Sequence, residues 1–318
     1  MKTCLVTGGT GFIGSAITRL LLERGYKVRV LDNNSRGNFR RLKDVIDSLD
    51  IREGDIRNAD LVSKSLVNVD IVIHLAYING TINFYERPRE VLDVAIVGIQ
   101  NVLEAMRVNE VPELYLASSS EVYQYPEIFP TPEIVPLVVP DPYNSRYSYG
   151  LGKIVQEFMC IHADTFLNIL AIFRPHNVYG SDMGFQHVIP ELCAKIVAEK
   201  SNRVELKGDG SQSRSFCHIS DFVQGFGLLL DAEFERETFN LGTREEVTIS
   251  HLARLIASSL GRQIEFSTST APKGETQRRI PDIAKIESLG FSQSMTLHAG
   301  VRDYCEWFIS NPIYESLI

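Results

Sequence analysis

The sequence predicts an α/β protein built on a doubly wound parallel sheet, with a smaller α/β region toward the C-terminus. Three observations predict it. Short apolar runs at Cys4–Thr7, Val28–Asp32, Ile51–Gly54, Ile71–Ala76, Leu114–Ser118 and Ile169–Arg174 have strand character. Helical periodicity fills the intervals at Ile13–Arg24, Val91–Arg107 and Gly152–Phe166, and strand–helix alternation of this kind builds a parallel sheet. The strands are almost wholly apolar, as they are when helices cover both faces.

Beyond about Tyr179 the alternation breaks into a mixed region that contains the polar stretch Lys207–Arg214. A further strand and helix follow at Phe239–Leu241 and Ile249–Leu260, and a last helix near Val301–Ile309. No repeat or linker separates the two parts. Residues 1–178, with 216–242 returning to them, are expected to form the first domain, and 179–215 with 243–318 the second. The Pro-rich segment Pro126–Pro142 reads as a long loop, which in a compact domain is often a wall or lid over a site.

Composition narrows the function classes. With 318 residues, 44% hydrophobic and 23% charged, the chain suits one large or two intimately packed domains. The formal net charge of −8 argues against nucleic acid or anionic lipid, which are held by excess Lys and Arg, and favours a small-molecule partner. Five cysteines, odd in number and without C-x-x-C spacing, fit neither a disulfide framework nor a zinc knuckle, so free thiols in a reducing cytoplasm and no metal site are expected. Met1 runs almost directly into the first strand and no apolar run approaches ~18 residues, so neither a signal peptide nor a membrane span is expected.

Thr7-Gly8-Gly9-Thr10-Gly11-Phe12-Ile13-Gly14 follows the first strand and opens an amphipathic helix. This is the context of a Rossmann-type dinucleotide turn: Gly8 permits the turn, Gly11 lets a pyrophosphate reach the helix N-terminus, and Gly14 lets helix and strand pack closely. Asp32 ends the second strand, where its carboxylate would accept both ribose hydroxyls of NAD and repel the 2′-phosphate of NADP. Arg36 lies near enough to neutralise such a phosphate, which counts the other way. Gly54-Asp55-Ile56 and His74-Leu75-Ala76 end the third and fourth strands at the same carboxyl edge, so Asp55, placed to accept from the adenine amino group, joins Phe12, Ile13, Ile56, Leu75 and Ala76 as expected cofactor contacts. A strand-end histidine such as His74 is more often a hydrogen-bonded structural residue than a proton carrier.

Tyr149 and Lys153 lie four apart on one helix face. A phenol is a poor base near neutrality, and a neighbouring ammonium favours its phenolate; Lys153 could also hydrogen-bond the nicotinamide ribose. Tyr-x-x-x-Lys alone arises by chance in many helices. Here Ser118-Ser119-Ser120-Glu121-Val122-Tyr123 closes the fifth strand at the same sheet edge.

With these motifs, and with Arg174-Pro175-His176-Asn177-Val178-Tyr179-Gly180 and Arg278-Arg279-Ile280-Pro281-Asp282, the chain resembles the extended short-chain dehydrogenase/reductases, specifically the NAD-dependent sugar-nucleotide epimerase/dehydratase family, over essentially its whole length. The resemblance implies NAD as cofactor and a nucleoside-diphosphate sugar as substrate. It implies that Ser119 hydrogen-bonds the sugar hydroxyl that Tyr149 deprotonates, that Ser120 and Asn177 face the substrate, and that Arg214 and Arg279 hold the diphosphate. Guanidinium suits that task because it offers a bidentate fork to phosphate oxygens.

The chain departs from the family pattern in three places. Dehydratases usually carry Asp-Glu before Val-Tyr; here Ser120-Glu121 keeps the glutamate and lacks the acid that expels water, a pairing that also resembles nucleotide-sugar uronate decarboxylases. Glu121 is thus either catalytic or a structural acceptor. Ala95 replaces the asparagine usual three residues before the glycine of its helix, and Ser181 replaces the proline usual after Tyr-Gly. The reading that follows is a 4-epimerase working through a 4-keto sugar, with a decarboxylase, dehydrogenase or dehydratase as alternatives and a non-catalytic nucleotide sensor behind them. Because Val91–Arg107 is apolar around more of its circumference than one buried stripe needs, a homodimer pairing this helix and the one after Tyr149 is expected.

Overall fold

The computed structural model describes residues 1–163, 166–270, 274 and 276–311. Seven strands form one parallel sheet: β1 Thr3–Thr7, β2 Lys27–Asp32, β3 Leu49–Glu53, β4 Ile71–His74, β5 Glu113–Ala117, β6 Ile169–Pro175 and β7 Arg236–Leu241. Their order is β7-β6-β5-β4-β1-β2-β3, so the chain winds outward from β1 to β3 and then returns to start again at β4 on the other side of β1. That reversal opens a crevice at the carboxyl ends of β1 and β4, where Thr7 stands level with both Leu31 and His74.

The apolar character of the strands follows from their period of two. In β1, Leu5 faces one core while Cys4 and Val6 face the other; in β4, Val72 opposes Ile71 and Ile73; in β6, Leu170 and Ile172 oppose Ala171 and Phe173. Helices α1 (Phe12–Glu23), α2 (Pro88–Val108), α3 (Ser148–Ile161) and α4 (Ile219–Asp231) cover the two faces. Val91, Ile99, Val102 and Met106 of α2 pack with Cys160 of α3 on the first face, and Ile17 and Leu21 of α1 pack with Phe222 and Phe226 of α4 on the second. A third core, with Leu192, Leu252, Ile256, Tyr304 and Phe308, is built by helices Val188–Ala198, Ile249–Ser259 and Leu297–Ser310.

Differences from expectation lie at element ends and in short helices. Periodicity carried α3 to Phe166, but His162 caps it after Ile161, and Asp164 and Thr165 lie outside the described residues. The helix Ala59–Ser65 has no signature beyond the Asn58 cap on Leu61 N. Pro126–Pro142 contains neither helix nor strand apart from a single bridge between Thr131 and Pro281. It is tied down from below: Arg174 donates to the Glu133 carbonyl at 2.9 Å and forms a buried ion pair with Glu157 of α3 at 2.6 Å. All five cysteines are free thiols and buried. Among the described residues, no helix is long and apolar enough to cross a membrane, and no cluster of His, Cys, Asp and Glu could hold a metal ion.

Candidate active site

A cleft of 390 Å³ opens at the crevice between β1 and β4. The turn after β1 forms its floor. Gly8 has φ +74°, and a Cβ there would lie 2.7 Å from Ala76 N; a Cβ on Gly14 would lie 2.0 Å from the Gly8 carbonyl oxygen. Only glycine fits either position, which brings α1 hard against the turn with its N-terminal residues Gly11, Phe12, Ile13 and Gly14 lining the cleft. Asp32 lines it too, its carboxylate oriented by the Thr10 N–H at 3.0 Å and the Asn34 N–H at 2.9 Å. Asp55, Ile56, Leu75 and Ala76 complete this wall. Arg57 pairs with the Asp55 carboxylate at 2.7 Å and holds its carboxyl below the usual range.

Arg36 also lines the cleft and donates to Gln186 Oε1 at 3.0 Å, a residue of the adjoining cavity. His74 has the structural role: its Nδ1 pairs with Thr7 Oγ1 at 2.8 Å, and burial, aided by Lys153, pushes its pKa down to about 3.

Ser119, Tyr149 and Lys153 come together on the far wall, from the end of β5 and the first turns of α3. The Tyr149 ring stacks on Phe84 at 4.7 Å and meets the edge of Tyr77 at 5.0 Å. Burial pushes its phenol up to about 12, with the Ser119 hydroxyl and the charges of Arg36 and Arg279 working the other way. The lysine does not provide the expected counterweight in this structure. Its Nζ donates to the Ala117 carbonyl at 2.6 Å and to Gln156 Oε1 at 3.1 Å, and lies 4.1 Å from the centre of the Tyr77 ring. Burial brings its pKa down to about 7.

Glu121 lies at the junction with a second cavity of 610 Å³, whose walls include Asn177, Arg146, Arg214 and Arg279. Its carboxylate accepts from Arg279 at 2.7 Å and Arg146 at 3.2 Å. Burial works against its ionisation, but the two guanidiniums outweigh it and hold the pKa at about 2. Ser120 is buried in the first cleft. Asn177, at φ +41°, donates to the Ser215 carbonyl at 2.8 Å, while Arg214 donates to the Ser213 and Gln277 carbonyls at 2.8 and 3.2 Å.

Comparison with known proteins bears on the fold and the family. Residues 4–242 match the NAD dependent epimerase/dehydratase family. The chain belongs to that family. UDP-glucuronic acid decarboxylase 1 of Danio rerio is 32% identical over 96% of this chain and 72% of its own. Among solved structures, UDP-glucose 4-epimerase of Thermotoga maritima with UDP-glucose superposes with a TM-score of 0.86 at 26% identity, covering 97% of this chain and 99% of that one. The dTDP-glucose 4,6-dehydratase of Streptomyces venezuelae with NAD bound gives 0.89 at 27% identity, covering 99% of this chain and 100% of that one.

NAD is the cofactor of the epimerase/dehydratase family, and the residues present fit it. Gly8 and Gly14 leave no room for a Cβ against the neighbouring backbone, so the turn and α1 pack closely; the start of α1 offers backbone N–H groups to a pyrophosphate, and among the described residues no guanidinium is bonded to the Asp32 carboxylate. Three residues of the site escaped the sequence reading. Arg146 precedes Tyr149 by three in a single 3₁₀ turn, Ser145–Tyr147, and has no periodic signal. Tyr77 extends the His74-Leu75-Ala76 motif by one. Gln156 could have been suspected, because it follows Lys153 by three and is a fully buried amide on a helix that otherwise packs on the core.

Proposed function

We propose that the protein is an NAD-dependent nucleotide-sugar 4-epimerase acting through a 4-keto sugar. The observation that carries this reading is that Ser119, Tyr149 and Lys153 line one cleft, beside a glutamate that two arginines keep as a carboxylate. Expelling water requires a proton donor next to the sugar. Ser120 stands where the dehydratase pattern has an aspartate, and Glu121 holds no proton to give.

In this reading, residues 1–178 with 216–242 hold NAD, and 179–215 with 243–318 hold the sugar nucleotide. NAD bound there would supply the hydride acceptor, and then the hydride donor, for sugar C4. In its ionised form Tyr149 takes the proton of the 4-hydroxyl at its phenolate oxygen, and Ser119 hydrogen-bonds the same sugar oxygen. Arg214 and Arg279 meet the diphosphate, and Asn177 faces the sugar. Inversion at C4 requires the keto sugar to present its other face, and the 610 Å³ cavity beyond Glu121 gives it room to turn.

A second reading, a uronate decarboxylase, is favoured by one observation. Arg146 and Arg279 set two positive charges against the single carboxylate of Glu121, a surplus suited to an acidic sugar. Incubation of the protein and NAD with UDP-, GDP-, CDP- and dTDP-sugars, uronates included, separates the readings by product mass. An unchanged mass supports the epimerase, and loss of carbon dioxide the decarboxylase.

We also propose a cytoplasmic homodimer. Ile96 and Val97 of α2 and Phe158 and Ile161 of α3 are exposed on two helices packed side by side. Pairing both helices across a two-fold axis would bury these side chains in an isologous four-helix interface.

A further inference from the structure

The seat of Lys153 is built without the polar side chain that the family pattern leads one to expect at position 95. Ala95 of α2 offers only its backbone carbonyl, and Gln156 Nε2 donates to that oxygen at 3.2 Å. The other end of the same amide, Oε1, accepts from Lys153 Nζ at 3.1 Å. Gln156 is wholly buried. Reversing its amide would turn an NH₂ group toward the ammonium and an oxygen toward the carbonyl, so only one orientation satisfies both partners. Tyr77 completes the seat. Its ring underlies Nζ at 4.1 Å, its hydroxyl donates to the Tyr149 carbonyl at 3.3 Å, and a Cβ at Gly152 would lie 2.1 Å from that hydroxyl. The small residues at 95 and 152 leave the space that Tyr77 fills.

We propose that Gln156 is a positioning residue for Lys153, tying its ammonium to α2 through the Ala95 carbonyl in place of an asparagine side chain. The proposal rests on the reading of Lys153 as part of the catalytic set. The titratable groups that face Lys153 are Glu157 and Cys160 on its own helix, His74 from the end of β4, and Tyr77 just beyond it. From β5 it meets the Ala117 carbonyl. Against these fixed surroundings, an acceptor at position 156 favours the charged amine and burial disfavours it.

The test is a direct titration of Lys153 by ¹³C NMR of protein labelled at lysine Cε, with its signal assigned by loss in Lys153→Met. Gln156→Leu removes the acceptor, and the midpoint should fall by about one pH unit; Gln156→Glu places a negative charge there, and it should rise by about as much or more. Opposite displacements cannot come from general loosening of the fold. On the substrate found by the sugar panel, Gln156→Leu should lower kcat about tenfold or more with KM within about twofold, and Gln156→Glu should recover part of the loss. Midpoints unchanged in both variants, or displaced in the same direction, would overturn the proposal. Full turnover by Lys153→Met would overturn the reading of Lys153 itself and this proposal with it.

Discussion

The Glu121 carboxylate accepts from the Arg279 guanidinium at 2.7 Å where the two cavities meet. Arg146 holds its other oxygen at 3.2 Å, so the glutamate is a fixed anion and not a store of protons. The pair has a consequence for stability. The folded-state pKa of about 2 lies below the ordinary 4.5, so the stability it contributes is present above pH 4.5 and is lost as the pH falls toward 2. Glu121→Gln should therefore show a smaller drop in Tm between pH 5 and pH 3 than the unmutated protein. Equal drops in the two proteins would contradict the geometry.

Tyr149→Phe deletes only the ionisable oxygen of a ring held between Phe84 and Tyr77. Turnover should fall by about 10²–10⁴-fold, the usual worth of a general base. The Kd for NAD should stay within about twofold, because the stacking that shapes the cleft is retained. Near-normal kcat would remove Tyr149 from the mechanism.

Asp32→Ala should weaken NAD binding by about ten- to a hundredfold, the range for a lost hydrogen bond to a charged group, and relax discrimination against NADP. Calorimetric titration of each cofactor into both proteins measures this. Tighter binding of NADP than NAD by the unmutated protein would show that Arg36 outweighs the carboxylate.

Light scattering at micromolar concentration should give about twice the chain mass of 35.8 kDa. Val97→Glu or Phe158→Glu should return it to the single-chain mass. A single-chain mass for the unmutated protein would refute the dimer.

The sheet and the cofactor turn were legible because each rests on a local rule. Strands buried on both faces are apolar at every position, as Cys4–Val6 and Leu170–Phe173 are, and the turn admits only glycine at 8 and 14. Ser119, Tyr149 and Lys153 could be gathered in advance because the carboxyl ends of parallel strands share one edge. What escaped depends on contacts far apart in sequence. Arg279 finds Glu121 across 158 positions and Gln156 finds Ala95 across 61. The orientation of Lys153 followed suit: spacing placed it on the face of Tyr149 and near Gln156, but its shorter hydrogen bond goes to the Ala117 carbonyl, 36 positions away on β5, which no periodicity announces.

The most direct test follows the hydrogen at sugar C4. The nucleotide hexose turned over in the panel, prepared with deuterium at C4, is incubated with the protein and NAD, and the product is examined by mass spectrometry and NMR. A 4-epimerase returns a product of unchanged mass, with C4 inverted and the deuterium still attached to it. Loss of carbon dioxide or water, or inversion with the deuterium exchanged for solvent hydrogen, would contradict the epimerase reading.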